Sequence, residues 1–253
     1  PFEEDYPIEF RMLAGNAAYL RLERMDREAM DTLLTKHGGD IAKSRKLILD
    51  LRRNVGGDEN ALDGLLPYLV VRERTIEELR GDEGCWCLFT ENNCNRRYDV
   101  LSAFRATCTD PEEIALVDQE ISLYRDNFGK GLVFLPPEAV EGTVFPAPAA
   151  PEKVVVLTDT FCEDEGEQFV ALCKRCGGKV TVIGRPTMGT LDYFDPITVA
   201  LHDKMTLSYP IRMTPAAYEG RGTSEKGLSV DEYIPWTSKE IFQDILLDRA
   251  MAL

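Results

Sequence analysis

The chain has 253 residues, 44% of them hydrophobic, with 29 basic against 44 acidic side chains and a formal charge of −15. That is enough apolar chain for a sizeable core, and the acidic excess argues against a nucleic-acid partner, because neutralising phosphates requires clustered Lys and Arg. No run of about 18 apolar residues occurs, so the sequence offers no membrane-spanning helix.

The chain begins at Pro1 rather than Met, from which we expect a missing natural N-terminus and read no targeting signal. Seven cysteines fall in two groups, Cys85, Cys87, Cys94 and Cys108, then Cys162, Cys173 and Cys176. Cys85, Cys87 and Cys94 lack the paired Cys-x-x-Cys spacing of zinc ligands, and Cys173-x-x-Cys176 lies inside an amphipathic helix pattern where small buried thiols are common, so structural free thiols, no metal and no cofactor are expected. Free thiols favour a cytoplasmic setting.

In chain order, residues 1–16 show no steady period. Ala17–Leu22 alternates as a half-buried strand does, and Asp26 is placed to cap a helix running to about Thr35. Lys46–Leu51 is apolar enough for a strand covered on both faces. Then come Asp50-Leu51-Arg52-Arg53-Asn54-Val55-Gly56-Gly57 and a helical pattern from Asp58 through Leu69. A glycine turn between strand and helix can aim main-chain N–H groups at an anion.

Residues 73–150 look less regular. Arg72–Arg80 reads as a charged helix and Pro111–Phe128 as an amphipathic one, whereas Gly84–Tyr98 shows no clear period. The stretch from Gly131 to Lys153 holds five of the 14 prolines, between Pro136 and Pro151, which predicts a rigid connector outside the core. The whole segment is expected to be an insertion, serving as a lid or as elaboration, within a single domain spanning 1–253.

Lys153-Val-Val-Val-Leu-Thr158 is a second buried strand, followed by an acidic helix start and a helix from about Gly166 to Lys174 that ends at Gly177-Gly178. A strand at Lys179–Ile183 leads to Gly184-Arg185-Pro186-Thr187-Met188-Gly189-Thr190. Strands at Ile197–Leu201 and Met205–Tyr209 and an amphipathic helix over Ser238–Ala250 complete the reading.

The octet from Asp50 to Gly57 resembles the Asp-Leu-Arg-x-Asn-x-Gly-Gly signature of the S41 peptidases, the family of C-terminal processing and tricorn-core proteases. The Val-Val-Val-Leu-Thr strand, the glycine-rich Gly184–Thr190 segment and Gly227-Leu228-Ser229-Val230-Asp231, with Val where the family has Pro, follow in the family's order. The resemblance covers roughly 17–72 and 152–240. It implies an α/β fold with the spiral crotonase/ClpP-like core, a peptide or protein ligand, and a homo-oligomer as one form of assembly.

It also implies roles. Gly56 or Gly57 would supply an oxyanion-hole N–H, with Glu165 beside the nucleophile as a second donor, and Asn54, Thr187, Gly189 and Thr190 would line a substrate groove. The family's serine belongs where Cys162-Glu163-Asp164-Glu165-Gly166 places Asp164. One branch of the family has its lysine base where Thr190 stands, and the other uses a histidine preceding the core. His37, near the expected helix end, and His202 read as surface side chains. Cys162 is a candidate replacement nucleophile, opposed by four neighbouring carboxylates at 163, 164, 165 and 167 that would raise its pKa. The expectation is therefore a catalytically impaired, peptide-binding relative of a peptidase. An active endopeptidase using Cys162, or groups supplied from outside this chain, is the alternative.

Overall fold

A computed structural model describes residues 8–81, 83–137, 144–146 and 150–253. In chain order these give β1 (Ile8–Leu13), β2 (Ala17–Leu22), α1 (Arg27–Lys43), β3 (Lys46–Asp50), α2 (Leu66–Leu69), β4 (Arg74–Thr75), α3 (Ile76–Arg80), β5 (Cys85–Phe89) and α4 (Glu91–Arg105). There follow α5 (Pro111–Asp126), β6 (Gly131–Leu135), β7 (Val144–Phe145), β8 (Lys153–Thr158), α6 (Asp164–Arg175), β9 (Val180–Gly184), β10 (Tyr193–His202), β11 (Met205–Met213), α7 (Pro215–Tyr218), β12 (Glu232–Tyr233) and α8 (Ile245–Ala252). Described residues up to 81, with 144–146, 150–191 and 223–253, form one compact unit, and 83–137 with 192–222 form another.

The first unit is built on a six-stranded sheet in the order β1-β2-β3-β8-β9-β12. All neighbours run parallel except β1, which pairs antiparallel with β2. This is the α/β core expected. Strand alternation sorts side chains between its two faces: Leu47, Leu49, Val154 and Val156 join the core under α1, α2 and α6, while Ile48, Val155 and Leu157 pack with Leu246 and Ala250 of α8. Both faces are buried, which explains near-continuous apolar strands.

Asp26 caps α1 as expected, its carboxylate accepting the Ala29 N–H. The helix does not stop at Thr35 but continues through Gly38-Gly39 to Lys43, because buried Ile41 lies beyond the glycines and the Ser44 hydroxyl caps the end. His37 therefore stands within α1, stacked on Phe10. The expected helix over 58–69 is shorter. A 3-10 turn at Asp63–Leu65 precedes one turn of α2, started by Pro67, and a Cβ at Gly64 would lie 2.4 Å from Leu34. Arg72–Arg80 is corrected to β4 followed by α3, and Ser238–Ala250 to a 3-10 turn (Ser238–Ile241) separated from α8.

The second unit is an antiparallel sheet, β10-β11-β5-β6, with α4 and α5. Its core joins Cys87, Phe89, Cys94, Tyr124, Ile197, Val199 and Ile211. Gly84–Tyr98, irregular by period, holds β5 and the start of α4. Apolar residues on both faces of β5 hide its alternation, since Cys87 and Phe89 are buried while Leu88 is exposed. The connector reading also needs correction where it is described. Gly131–Leu135 pairs with β5, and Phe145 of β7 is buried against β4. The rest of that proline-rich stretch, 138–143 and 147–149, lies outside the described residues. Among the described residues no helix is long and apolar enough to cross a membrane.

Candidate functional site

The turn after β3 is held by buried charge. Asp50 is fully buried and accepts the Tyr19 hydroxyl at 2.7 Å, the Arg52 N–H at 3.1 Å and the Arg52 Nε at 2.8 Å. Arg52 also forks onto Asp244, the N-cap of α8, with both bonds at 2.8 Å. Burial works against the guanidinium, but bonds to two carboxylates hold it firmly charged, while burial and the Asp50 charge push the Tyr19 phenol up. The signature's Asp and Arg thus fasten strand to helix and do not face a ligand.

Asn54 closes the turn. Its amide donates to the Leu22 carbonyl at 2.6 Å and accepts the Gly56 N–H at 2.9 Å, and its own carbonyl accepts the Glu163 N–H at 2.9 Å. Gly56 lies at φ +77° and Gly57 at φ +137°. A Cβ on Gly57 would come 2.3 Å from the Met25 carbonyl oxygen, so the turn passes where only glycine fits. At the facing helix, Gly166 plays the matching part, since a Cβ there would lie 2.3 Å from Asn54 Oδ1.

α6 begins against this turn. A Cβ at Gly56 would lie 2.7 Å from the Asp164 Cβ, placing Asp164 directly on the glycines. Asp164 has φ +53°, a left-handed conformation that aspartate tolerates better than most side chains. Its N–H donates to the Thr190 hydroxyl at 2.8 Å. Partial burial, then a hydrogen bond and charge from Glu165 and charge from Glu163, hold the Asp164 carboxyl up to about 6. Glu165 reaches across the gap, where its Oε2 accepts the Gly57 N–H at 2.8 Å.

One turn further along α6, the fully buried Glu167 organises the glycine-rich loop. Its carboxylate accepts the Thr187 hydroxyl at 2.7 Å, the Gly189 N–H at 3.0 Å, the Thr190 N–H at 2.7 Å and the Thr190 hydroxyl at 3.0 Å. Thr187 in turn accepts the Leu228 N–H at 2.7 Å. Asp159 receives the N–H groups of Arg53 and Phe161, both at 3.0 Å. Cys162 is buried in the core, and burial first, then nearby Asp159, Glu167 and Glu163, push its thiol up.

The structure therefore brings Asn54, Gly56, Gly57, Cys162, Asp164, Glu165, Thr187, Gly189 and Thr190 to one place. Asn54 and Thr187 are buried, with side chains engaged in holding the turn and the loop. Sequence reasoning missed the structural parts of Glu167 and Asp159. Glu167 looked like one more acid in a first helical turn, and no local pattern announces that a loop folds around it. His37 and His202 stand on other elements. Among the described residues no group of three His, Cys, Asp or Glu is arranged to hold a metal ion.

Comparison with solved structures finds the same fold in distant proteins. A candidate peptidase of Parabacteroides merdae matches with a TM-score of 0.55 at 16% identity over 99% of this chain and 66% of its own. Mature CPAF matches with a TM-score of 0.56 at 15% identity over 89% of this chain and 48% of its own. The chain thus spans less than two thirds of either protein. Among curated proteins no sequence matches. The model of peptidase family S41 matches residues 16–234, and the chain belongs to that family.

Proposed function

We propose that this chain is a single S41 domain whose nucleophile position carries Asp164, and that it binds an extended peptide without cleaving it through an acyl-enzyme. The observation that carries the reading is Asp164 at the start of α6, packed on the Gly56-Gly57 turn. A carboxylate attacking an amide would form a mixed anhydride, higher in energy than the bond it replaced, whereas a serine ester can form and be hydrolysed. Exposed apolar side chains flank the position, Phe161 at 62% and Met188 at 39%, with the Met188 N–H bonded to the Cys162 carbonyl. They suit the side chains of an extended peptide better than they suit water.

The Cys162 thiol and the Thr190 hydroxyl could compete for the nucleophile's role, and the geometry weighs against both. Cys162 is sealed in the core with its thiol pushed toward the protonated form, so little thiolate is present. The Thr190 hydroxyl donates to Glu167 and accepts from Asp164 N–H, which makes it a tie between loop and helix.

The experiment incubates the full-length protein with unfolded casein and with a fluorophosphonate probe. The wild type is expected to leave both unchanged, while Asp164→Ser, alone or with Thr190→Lys to restore a base, gains labelling. Casein turnover or labelling by the wild type that disappears in Cys162→Ala would overturn the proposal.

A further inference from the structure

Donors around Asp164 fall into two kinds. The Gly56 N–H is bound by Asn54, the Gly189 and Thr190 N–H groups by buried Glu167, and the Asp164 N–H by Thr190; each of these acceptors also holds the backbone together. The Gly57 N–H differs. Gly57 is exposed, and its acceptor at 2.8 Å is the carboxylate of Glu165, which is not buried as Glu167 is. The same Oε2 lies 2.7 Å from where a Gly56 Cβ would stand, so the carboxylate covers the face of the glycine turn.

Besides the Gly57 N–H, Glu165 meets the Asp164 carboxyl, which can share a hydrogen bond with it only while one of the two holds a proton. Among the described residues no Lys, Arg or His forms an ion pair with it, and its neighbour on α6, Asp164, repels it once ionised. Once Asp164 is ionised that shared bond is lost, and an arm then held by one N–H and pushed by a like charge can swing away at small cost. We propose that Glu165 is an autoinhibitory latch: its carboxylate occupies the Gly57 N–H, and an incoming carbonyl or carboxylate oxygen must displace it to use that donor. The ligand class, an extended peptide, rests on the function proposed above, whereas occupation of the donor does not. A latch closed about nine-tenths of the time weakens ligand binding roughly tenfold, because only the open fraction is competent.

The test uses the full ¹⁵N-labelled chain as wild type, Glu165→Ala and Glu165→Gln, with dispersed amide spectra showing that each variant folds. Sodium acetate, titrated at pH 7 against matched sodium chloride, probes the donor directly. The Gly57 amide should shift saturably with acetate in Glu165→Ala, less in Glu165→Gln, whose amide oxygen still accepts, and not in the wild type. An unresponsive Gly57 amide in both variants, or an equal response in the wild type, overturns the latch. Fluorescein-labelled, reduced and carboxymethylated casein is the second probe, and Glu165→Ala should bind it about tenfold more tightly. Equal casein binding by wild type and variant refutes the latch and leaves peptide binding standing. An acetate response with no casein binding in either protein supports the latch and removes the peptide reading.

Discussion

Glu167 and Asp164 lie one turn apart on the same helix, and their surroundings are opposite. Glu167 is buried and meets four donors from the loop at 187–190, so its charge is fully answered. Asp164 faces the glycine turn with Glu165 and Glu163 beside it, and its carboxyl is held up to about 6. The difference separates a frame from a tip. Strand, glycine turn, helix start and loop are tied by satisfied buried polar groups, while the position those groups present carries crowded like charge. A frame of this kind can persist after the chemistry at its tip has changed, because the bonds holding it do not pass through the tip's carboxyl.

This contrast can be broken experimentally, beginning where the largest effect is expected. Glu167→Ala strands the donors of Thr187, Gly189 and Thr190 and should cost about 3 to 4 kcal/mol in urea unfolding. A loss below about 1 kcal/mol would mean that the loop does not depend on that carboxylate. Asn54→Ala leaves the Leu22 carbonyl and the Gly56 N–H unpaired and should cost about 2 kcal/mol. The same variant should disturb the Gly56 and Gly57 amide signals more than those of the second unit.

At the tip the sign reverses. The folded state raises the Asp164 carboxyl to about 6, so the native protein holds a proton that the unfolded chain has already released, and stability falls as pH rises from about 4 through 6. Asp164→Asn should therefore stabilise the protein at pH 8, by no more than about 1 kcal/mol after solvent screening. The gain should vanish below about pH 4, where both states are protonated. Urea midpoints of the two proteins at pH 4 and pH 8 check this; a destabilised Asp164→Asn at pH 8 would contradict it. As a control from the other unit, Arg105 and Asp118 form a well-aligned but exposed pair, with N–O distances of 2.9 and 3.1 Å. Arg105→Ala should leave the urea midpoint unmoved, since aligned geometry in water adds little.

Much of the frame is legible residue by residue. Ala17–Leu22 forms β2 with the bounds read from it, although it is covered on both faces where a half-buried strand was expected, and Asp26 caps α1 where a side-chain acceptor was expected. Other readings stop short for physical reasons. α1 runs past Gly38-Gly39 because burial of Ile41 outweighs the low helical preference of glycine. β5 and β6 were hidden because pairing partners, not period, make them strands, and α4 buries only Asn93 and Cys94, so it carries almost no apolar stripe.

By itself the sequence determined the local geometry of the site: apolar strands long enough to be covered on both faces, glycines where the backbone turns at positive φ, and an acidic helix start at Asp164. Those are properties of neighbouring residues and follow from sterics and periodicity. Only the tertiary structure decided that Glu165 lies on the Gly57 N–H, that Glu167 holds the loop, and that Arg52 reaches Asp244. The first and last of these contacts join residues 108 and 192 positions apart. A carboxylate's partner at that range is set by how elements pack, and three acids in one helical turn read alike until packing gives each a different neighbour.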